Sequence, residues 1–166
     1  MAPNIKYHKR FSKEFKDLII VLSKYSELKT MDALPIDTNL LFKSKDIEKI
    51  LNEDKYYESY VRSHTSNNLY NIKIILIKNP KKDNSVEIGS SIYSKFNKNS
   101  SSNINLIFSN NLLRSYNNSC CEIIFGLLLR SYNFSKYKSN IKDFIINSIN
   151  VIITKNYKLK KIDYFN

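Results

Sequence analysis

What most limits the fold of this chain is a set of short apolar, β-branched runs set far apart. Leu18-Ile-Ile-Val-Leu22, Asn71-Ile-Lys-Ile-Ile-Leu-Ile77, Ile104 to Phe108 and Asn150 to Thr154 are each bounded by polar residues. Runs this short and this rich in β-branched residues read as buried strands rather than helices. Helical patterns lie between them. From Ser44, Ile47, Ile50 and Leu51 recur at spacings of three and four with charges between, predicting an amphipathic helix to about Tyr57. Asn79-Pro80 stops the second strand, and Ile88, Ile92 and Phe96 then share one face of a second predicted helix. The polar run Asn97 to Asn103 reads as loop. Ser119-Cys-Cys-Glu122 has the spacing of a capping box, and the apolar Ile123 to Leu129 after it predicts a helix buried on more than one side. Strands alternating with helices argue an α/β domain, with a mixed or largely parallel sheet flanked by helices.

At 166 residues and 19.5 kDa the chain is long enough to fold as one domain without a metal or disulfide staple. Its cysteines, Cys120 and Cys121, are adjacent and poorly placed to bridge each other, which favours a reducing compartment. The formal charge of +12 suggests nucleic acid, an anionic membrane or an acidic partner. Only Arg10, Arg62, Arg114 and Arg130 are arginines, however, and abundance of Lys, Asn, Ile and Tyr together is what an AT-rich gene produces without selection for binding. No apolar run approaches the roughly 20 residues that cross a bilayer, so no membrane partner is expected. Met1 to Arg10 is basic without an apolar core to follow, unlike a secretory signal. The expected location is cytoplasmic, with a mitochondrial one as the alternative. Leu113-Arg-Ser-Tyr-Asn117 recurs as Leu129-Arg-Ser-Tyr-Asn133, a single short match that reads as coincidence rather than a structural repeat.

Little in the chain suggests catalysis. His8 and His64 are far apart, and no Cys-x-x-Cys or His-Glu-x-x-His spacing occurs, so no metal site is expected. Asp46, Glu48, Glu53, Asp54 and Glu58 are interleaved with Lys45, Lys49 and Lys55, the pattern of a solvated helix face. No Gly-x-Ser-x-Gly elbow is present. Gly89 and Gly126 are the only glycines and both fall inside predicted helices, which disfavours a phosphate cradle for a dinucleotide or ADP-ribose. Tyr132-Asn-Phe-Ser-Lys-Tyr-Lys138 interleaves aromatics with lysines, as in surfaces that stack bases and hold phosphates, and equally as in a packed corner with wet tips.

That segment and the helix before it, Glu122-Ile-Ile-Phe-Gly-Leu-Leu-Leu-Arg-Ser-Tyr-Asn-Phe-Ser-Lys-Tyr-Lys138, resemble the end of the N-terminal domain of leucyl (cytosol) aminopeptidases, the bacterial forms especially. The family-resembling corner comprises Arg130, Ser131, Tyr132, Phe134, Lys136, Tyr137 and Lys138. Lys73 to Ile77, Ile88-Gly-Ser-Ser-Ile-Tyr93, Ile104 to Phe108 and Asn150 to Thr154 resemble further family elements in order, with Asp17 to Leu22 as the opening strand. Where the family has a Gly-x-Gly turn, this chain has Lys78-Asn79-Pro80. The resemblance divides the chain into a basic N-terminal extension (1–16), the aminopeptidase N-terminal-like domain (17–154) and a tail or linker (155–166). It implies a macro-domain-like fold that serves hexamer assembly in the family, whose bacterial members include DNA binders. The family's two divalent ions, zinc or manganese, and its Asn-Thr-Asp-Ala-Glu-Gly-Arg signature belong to a catalytic domain that does not occur in these residues. The expectation is therefore an accessory domain, inactive alone and without a cofactor, whose partner is a second copy or a separate catalytic subunit. A basic nucleic-acid or ribonucleoprotein component stands as the alternative.

Overall fold

Six strands form one sheet in the computed structural model, which describes residues 3–12, 14–31, 34, 36, 45–63, 67–96, 103–136, 146–153 and 157–159. The strands are β1 (Asn4–His8), β2 (Asp17–Leu22), β3 (Tyr56–Arg62), β4 (Leu69–Leu76), β5 (Asn103–Phe108) and β6 (Ser148–Ile152), in the spatial order β1-β6-β5-β2-β4-β3. Every described pairing is parallel except that of β3 with β4. A 3₁₀ turn (Tyr25–Thr30) follows β2, and α1 (Lys45–Asp54) precedes β3. Helix α2 (Ser85–Phe96) connects β4 to β5, and α3 (Asn110–Ser115) and α4 (Asn117–Lys136) follow β5. This is the mixed α/β sheet that the sequence pattern predicts.

The continuous apolar runs are strands covered on both sides. Alternate residues of β2 go to opposite layers. Ile19 and Val21 join Ile75, Leu106, Phe108 and Val151 beneath α2 and α4, whereas Leu18, Ile20 and Leu22 join Ile72, Ile74 and Leu76 beneath the 3₁₀ turn and α1. Leu28 of the turn and Ile47 and Leu51 of α1 close that second layer, with Phe11 and Phe15 packed at its margin.

Several elements differ from the sequence reading. Strand β1 lies within the stretch read as a basic extension; it is an edge strand with exposed Lys6 and Tyr7, so it carries no apolar run. Helix α1 ends at Asp54 rather than near Tyr57, because Lys55 takes a left-handed φ of 58° and turns the chain directly into β3. Tyr56 and Tyr57 belong to that strand, whose alternating exposure marks the other edge. Ser119 is not a cap. Helix α4 begins at Asn117, and the Ser119 hydroxyl donates to the Pro80 carbonyl at 2.9 Å. The serine cap in this region is Ser109, which accepts from the Leu112 N–H at 3.3 Å and starts α3. β6 spans Ser148–Ile152, and Thr154 lies outside the described residues.

Both glycines of the chain sit at one helix crossing. A Cβ on Gly89 would stand 2.0 Å from the Ile123 carbonyl oxygen, and one on Gly126 would stand 2.0 Å from the Val86 oxygen. The Ser90 hydroxyl donates to the Gly126 carbonyl across the same crossing. Helices α2 and α4 thus meet backbone to backbone, which explains both glycines without any ligand.

Candidate functional site

In an open α/β sheet the ligand crevice lies at the carboxyl ends of the strands, where successive connections leave in opposite directions. Here that point falls between β2 and β5: after β2 the chain builds β4 and β3 on one side, then crosses back to β5 on the other. Each of these two strands ends in a serine, Ser23 after β2 and Ser109 after β5.

The crevice is occupied by Glu27 from the 3₁₀ turn. The Ser23 N–H donates to its Oε2 at 2.9 Å, and the Ser23 hydroxyl and the Asn111 amide, the latter at 3.1 Å, donate to its Oε1. Asn111 Nδ2 also reaches the Ser23 hydroxyl at 2.8 Å. Burial alone would raise the carboxyl pKa, but hydrogen bonds from the Ser109 and Ser23 hydroxyls and from the Ser23 and Lys24 N–H groups hold it below the usual range. A carboxylate held ionised in this way is a weak base, so it does not activate either serine as a nucleophile.

A second polar cluster lies on β3 and β4. Lys73, almost wholly buried, sits 3.5 Å from Glu58 Oε1 and 3.3 Å from Asn71 Oδ1. Asn71 Nδ2 and the Tyr56 hydroxyl donate to the two oxygens of Glu58 at 3.1 and 3.0 Å. Burial pushes the Glu58 pKa up, and its hydrogen bonds and the Lys73 charge bring it down further, to a net lowering. Burial and the bond to Glu58 push the Tyr56 phenol up. The cluster satisfies a buried lysine inside the sheet edge.

A third polar arrangement crosses the sheet. His8 Nε2 contacts Asn150 Oδ1 at 3.2 Å, Asn150 Nδ2 donates to Asn105 Oδ1 at 2.8 Å, and Asn105 Nδ2 donates to the Asp17 carbonyl at 2.8 Å. The His8 ring also packs edge-on against Phe15 at 5.2 Å, so it is a satisfied structural histidine.

An open groove of about 340 Å³ runs between the α1–β3 corner and α2. Asp54, Asp83, Glu87, Lys55 and Lys95 rim a floor of Ile75, Leu76 and Ile88. Lys95 Nζ stands 3.8 Å over the Tyr56 ring, and burial lowers its pKa. No histidine or cysteine is among the described lining residues.

Of the residues singled out from sequence, Glu58 and His8 enter the second and third polar clusters and Asp54 and Lys55 rim the groove, while the described residues of the family-resembling corner join none of these sites. Arg130, Ser131 and Tyr132 lie within α4, which stays helical through Lys136 where the sequence reading has a corner. Arg130 is exposed, Tyr132 is half-exposed, and the Ser131 hydroxyl donates to the Leu128 carbonyl at 2.7 Å. Phe134 and Lys136 are on the last turn of α4, their side chains outside the described set, and Tyr137, Lys138 and His64 lie outside the described residues. Asp46, Glu48, Glu53 and Asp54 are exposed on α1. Cys120 and Cys121 are buried and form no disulfide; burial, then the neighbouring Cys121, pushes the Cys120 thiol well up. Among the described residues no group of three or more His, Cys, Asp or Glu could hold a metal ion, and no helix is long and apolar enough to cross a membrane. Sequence reasoning missed Ser23, Glu27, Ser109 and Asn111, whose one signal is the serine closing each of two apolar strands.

The fold defines the class as a helix-flanked, mostly parallel α/β domain. No family model and no curated protein matches the chain. Among solved structures, a mutant of tomato leucine aminopeptidase matches with a TM-score of 0.52 over 93% of this chain, at 15% identity. The chain spans 34% of that protein's length, and at this identity the likeness is one of fold.

Proposed function

We propose that the chain is a non-catalytic domain of the leucyl aminopeptidase N-terminal type, acting in oligomer assembly or in contact with a separate catalytic subunit. The observation that carries this reading is the nearly complete coverage of the chain by about a third of one aminopeptidase, in line with the ordered sequence resemblance over 17–154. The described clusters are in keeping with it: Glu27, Glu58 and the buried Lys73 each have hydrogen-bond or ion-pair partners within the chain.

Two measurements on the purified chain test it. Leucyl-p-nitroanilide with added manganese or zinc should give no turnover, and light scattering should show a defined oligomer, or a stoichiometric complex once an aminopeptidase catalytic subunit is supplied. Sustained metal-dependent hydrolysis overturns the non-catalytic reading. A strict monomer that binds no such subunit overturns the assembly reading.

A further inference from the structure

The donors at the β2/β5 crevice come from separate parts of the chain, Ser23 after β2 and Asn111 after β5, yet all are aimed at one carboxylate. The Ser109 hydroxyl at the end of β5 accepts from the Leu112 N–H and contributes to lowering the Glu27 pKa. Among the described residues no lysine or arginine side chain hydrogen-bonds to Glu27, so its carboxylate is held there by oriented N–H and O–H dipoles. Such an array binds a small oxyanion in the same way that it binds a side-chain carboxylate.

We infer that the carboxyl end of β2 and β5 is an oxyanion cradle that the chain fills with its own Glu27, so that it accepts a small carboxylate or phosphate from solution once that side chain is removed. With Glu27 in place its ionised carboxylate already takes these donors and its charge opposes a second anion there. This gives the absence of a glycine-rich phosphate loop a counterpart in three dimensions: the ligand position of the fold is taken internally.

The test is thermal unfolding of the full chain, wild type and Glu27→Ala, at constant ionic strength, with chloride replaced stepwise by formate, acetate or phosphate. Glu27→Ala should melt about 4–8 °C below wild type, since it strands several donors. One or more of the oxyanions should raise its Tm saturably while leaving wild type unmoved. Rescue by formate and acetate alone marks a planar carboxylate site, and rescue by phosphate as well marks a wider oxyanion site; either supports the cradle. Asn111→Ala in the Glu27→Ala background should cut the rescue by roughly half. Glu27→Gln, which keeps the crevice filled, should show no rescue. If Glu27→Ala does not fold in chloride, recovery of folded protein on adding formate is the readout. No oxyanion response by either measure, or an equal response in wild type, overturns the inference.

Discussion

Replacing Gly89 by alanine sets two opposing effects against each other. Alanine in a helix interior is favoured over glycine by about 1 kcal/mol, so on an isolated α2 the substitution would stabilise. At the crossing, however, the new Cβ stands 2.0 Å from the Ile123 oxygen and 2.8 Å from the Leu127 nitrogen, and both are backbone atoms that cannot turn away as a side chain would. Restoring ordinary contact near 3.4 Å means moving α4 back by about 1.4 Å, enough to forfeit much of the dispersion energy along the seam. Overpacking of this kind costs about 1–3 kcal/mol and occasionally more, and with a backbone neighbour the upper end applies. The net loss should be about 2 kcal/mol, or a Tm lower by roughly 4–8 °C for a chain of this size. Gly126→Ala should behave alike, since its Cβ would meet the Val86 oxygen at the same 2.0 Å. The double variant should lose less than the sum, because one separation of the helices accommodates both methyl groups. Urea titrations followed by circular dichroism give these values, with exposed Ser94→Ala on α2 as a control expected within about 0.5 kcal/mol of wild type. A Gly89→Ala protein as stable as wild type would refute the close crossing.

Other expectations follow from the polar clusters. Glu58→Ala should destabilise more than Lys73→Met, by about 2 kcal/mol, because the first leaves a buried ammonium without its carboxylate while the second removes the buried charge itself; the reverse order in urea midpoints would contradict the arrangement. Glu27 and Glu58 are both held below the ordinary glutamate range, so their contributions are complete above the unfolded value of about 4.3 and fade as pH falls through the lower folded values. The stability gap between wild type and Glu27→Gln should therefore narrow on acidification, and a gap unchanged down to about pH 2 would be incompatible with a depressed pKa. The amide relay fixes a tautomer. The Asp17 carbonyl only accepts, so Asn105 and then Asn150 are oriented in turn, and neutral His8 must offer its Nε2–H. Long-range ¹H–¹⁵N spectra should show a protonated Nε2, and a dominant Nδ1–H form would break the chain of reasoning.

The interior of the sheet was legible in the sequence because β2, β4 and β5 are covered on both faces and so appear as unbroken apolar runs. Its edges were not. β1 and β3 need only one apolar face each, and Asn-Ile-Lys-Tyr-His or Tyr-Tyr-Glu-Ser-Tyr-Val-Arg carries too few apolar residues to stand out. The capping pattern at Ser119 was a local match overridden by tertiary contact with Pro80, while the working cap at Ser109 has no glutamate three residues on. The Glu27 cradle was hidden for a different reason. Its donors are serines and an asparagine more than 80 positions away from the acid or close beside it, and only the strand order brings them together.

The place of β6 has a consequence for how the molecule reaches this state. β1 finds its described neighbour 144 positions downstream, Asn4 opposite Ser148, while β6 must also slot beside β5. Closing so large a loop is entropically costly before any ladder forms. During synthesis the first strand emerges long before its mate, so the half of the sheet built on β2, β4 and β5 can assemble while β1 waits with an unsatisfied edge. Docking of β1 should then be a late, separable event, the last protection acquired in pulsed hydrogen exchange.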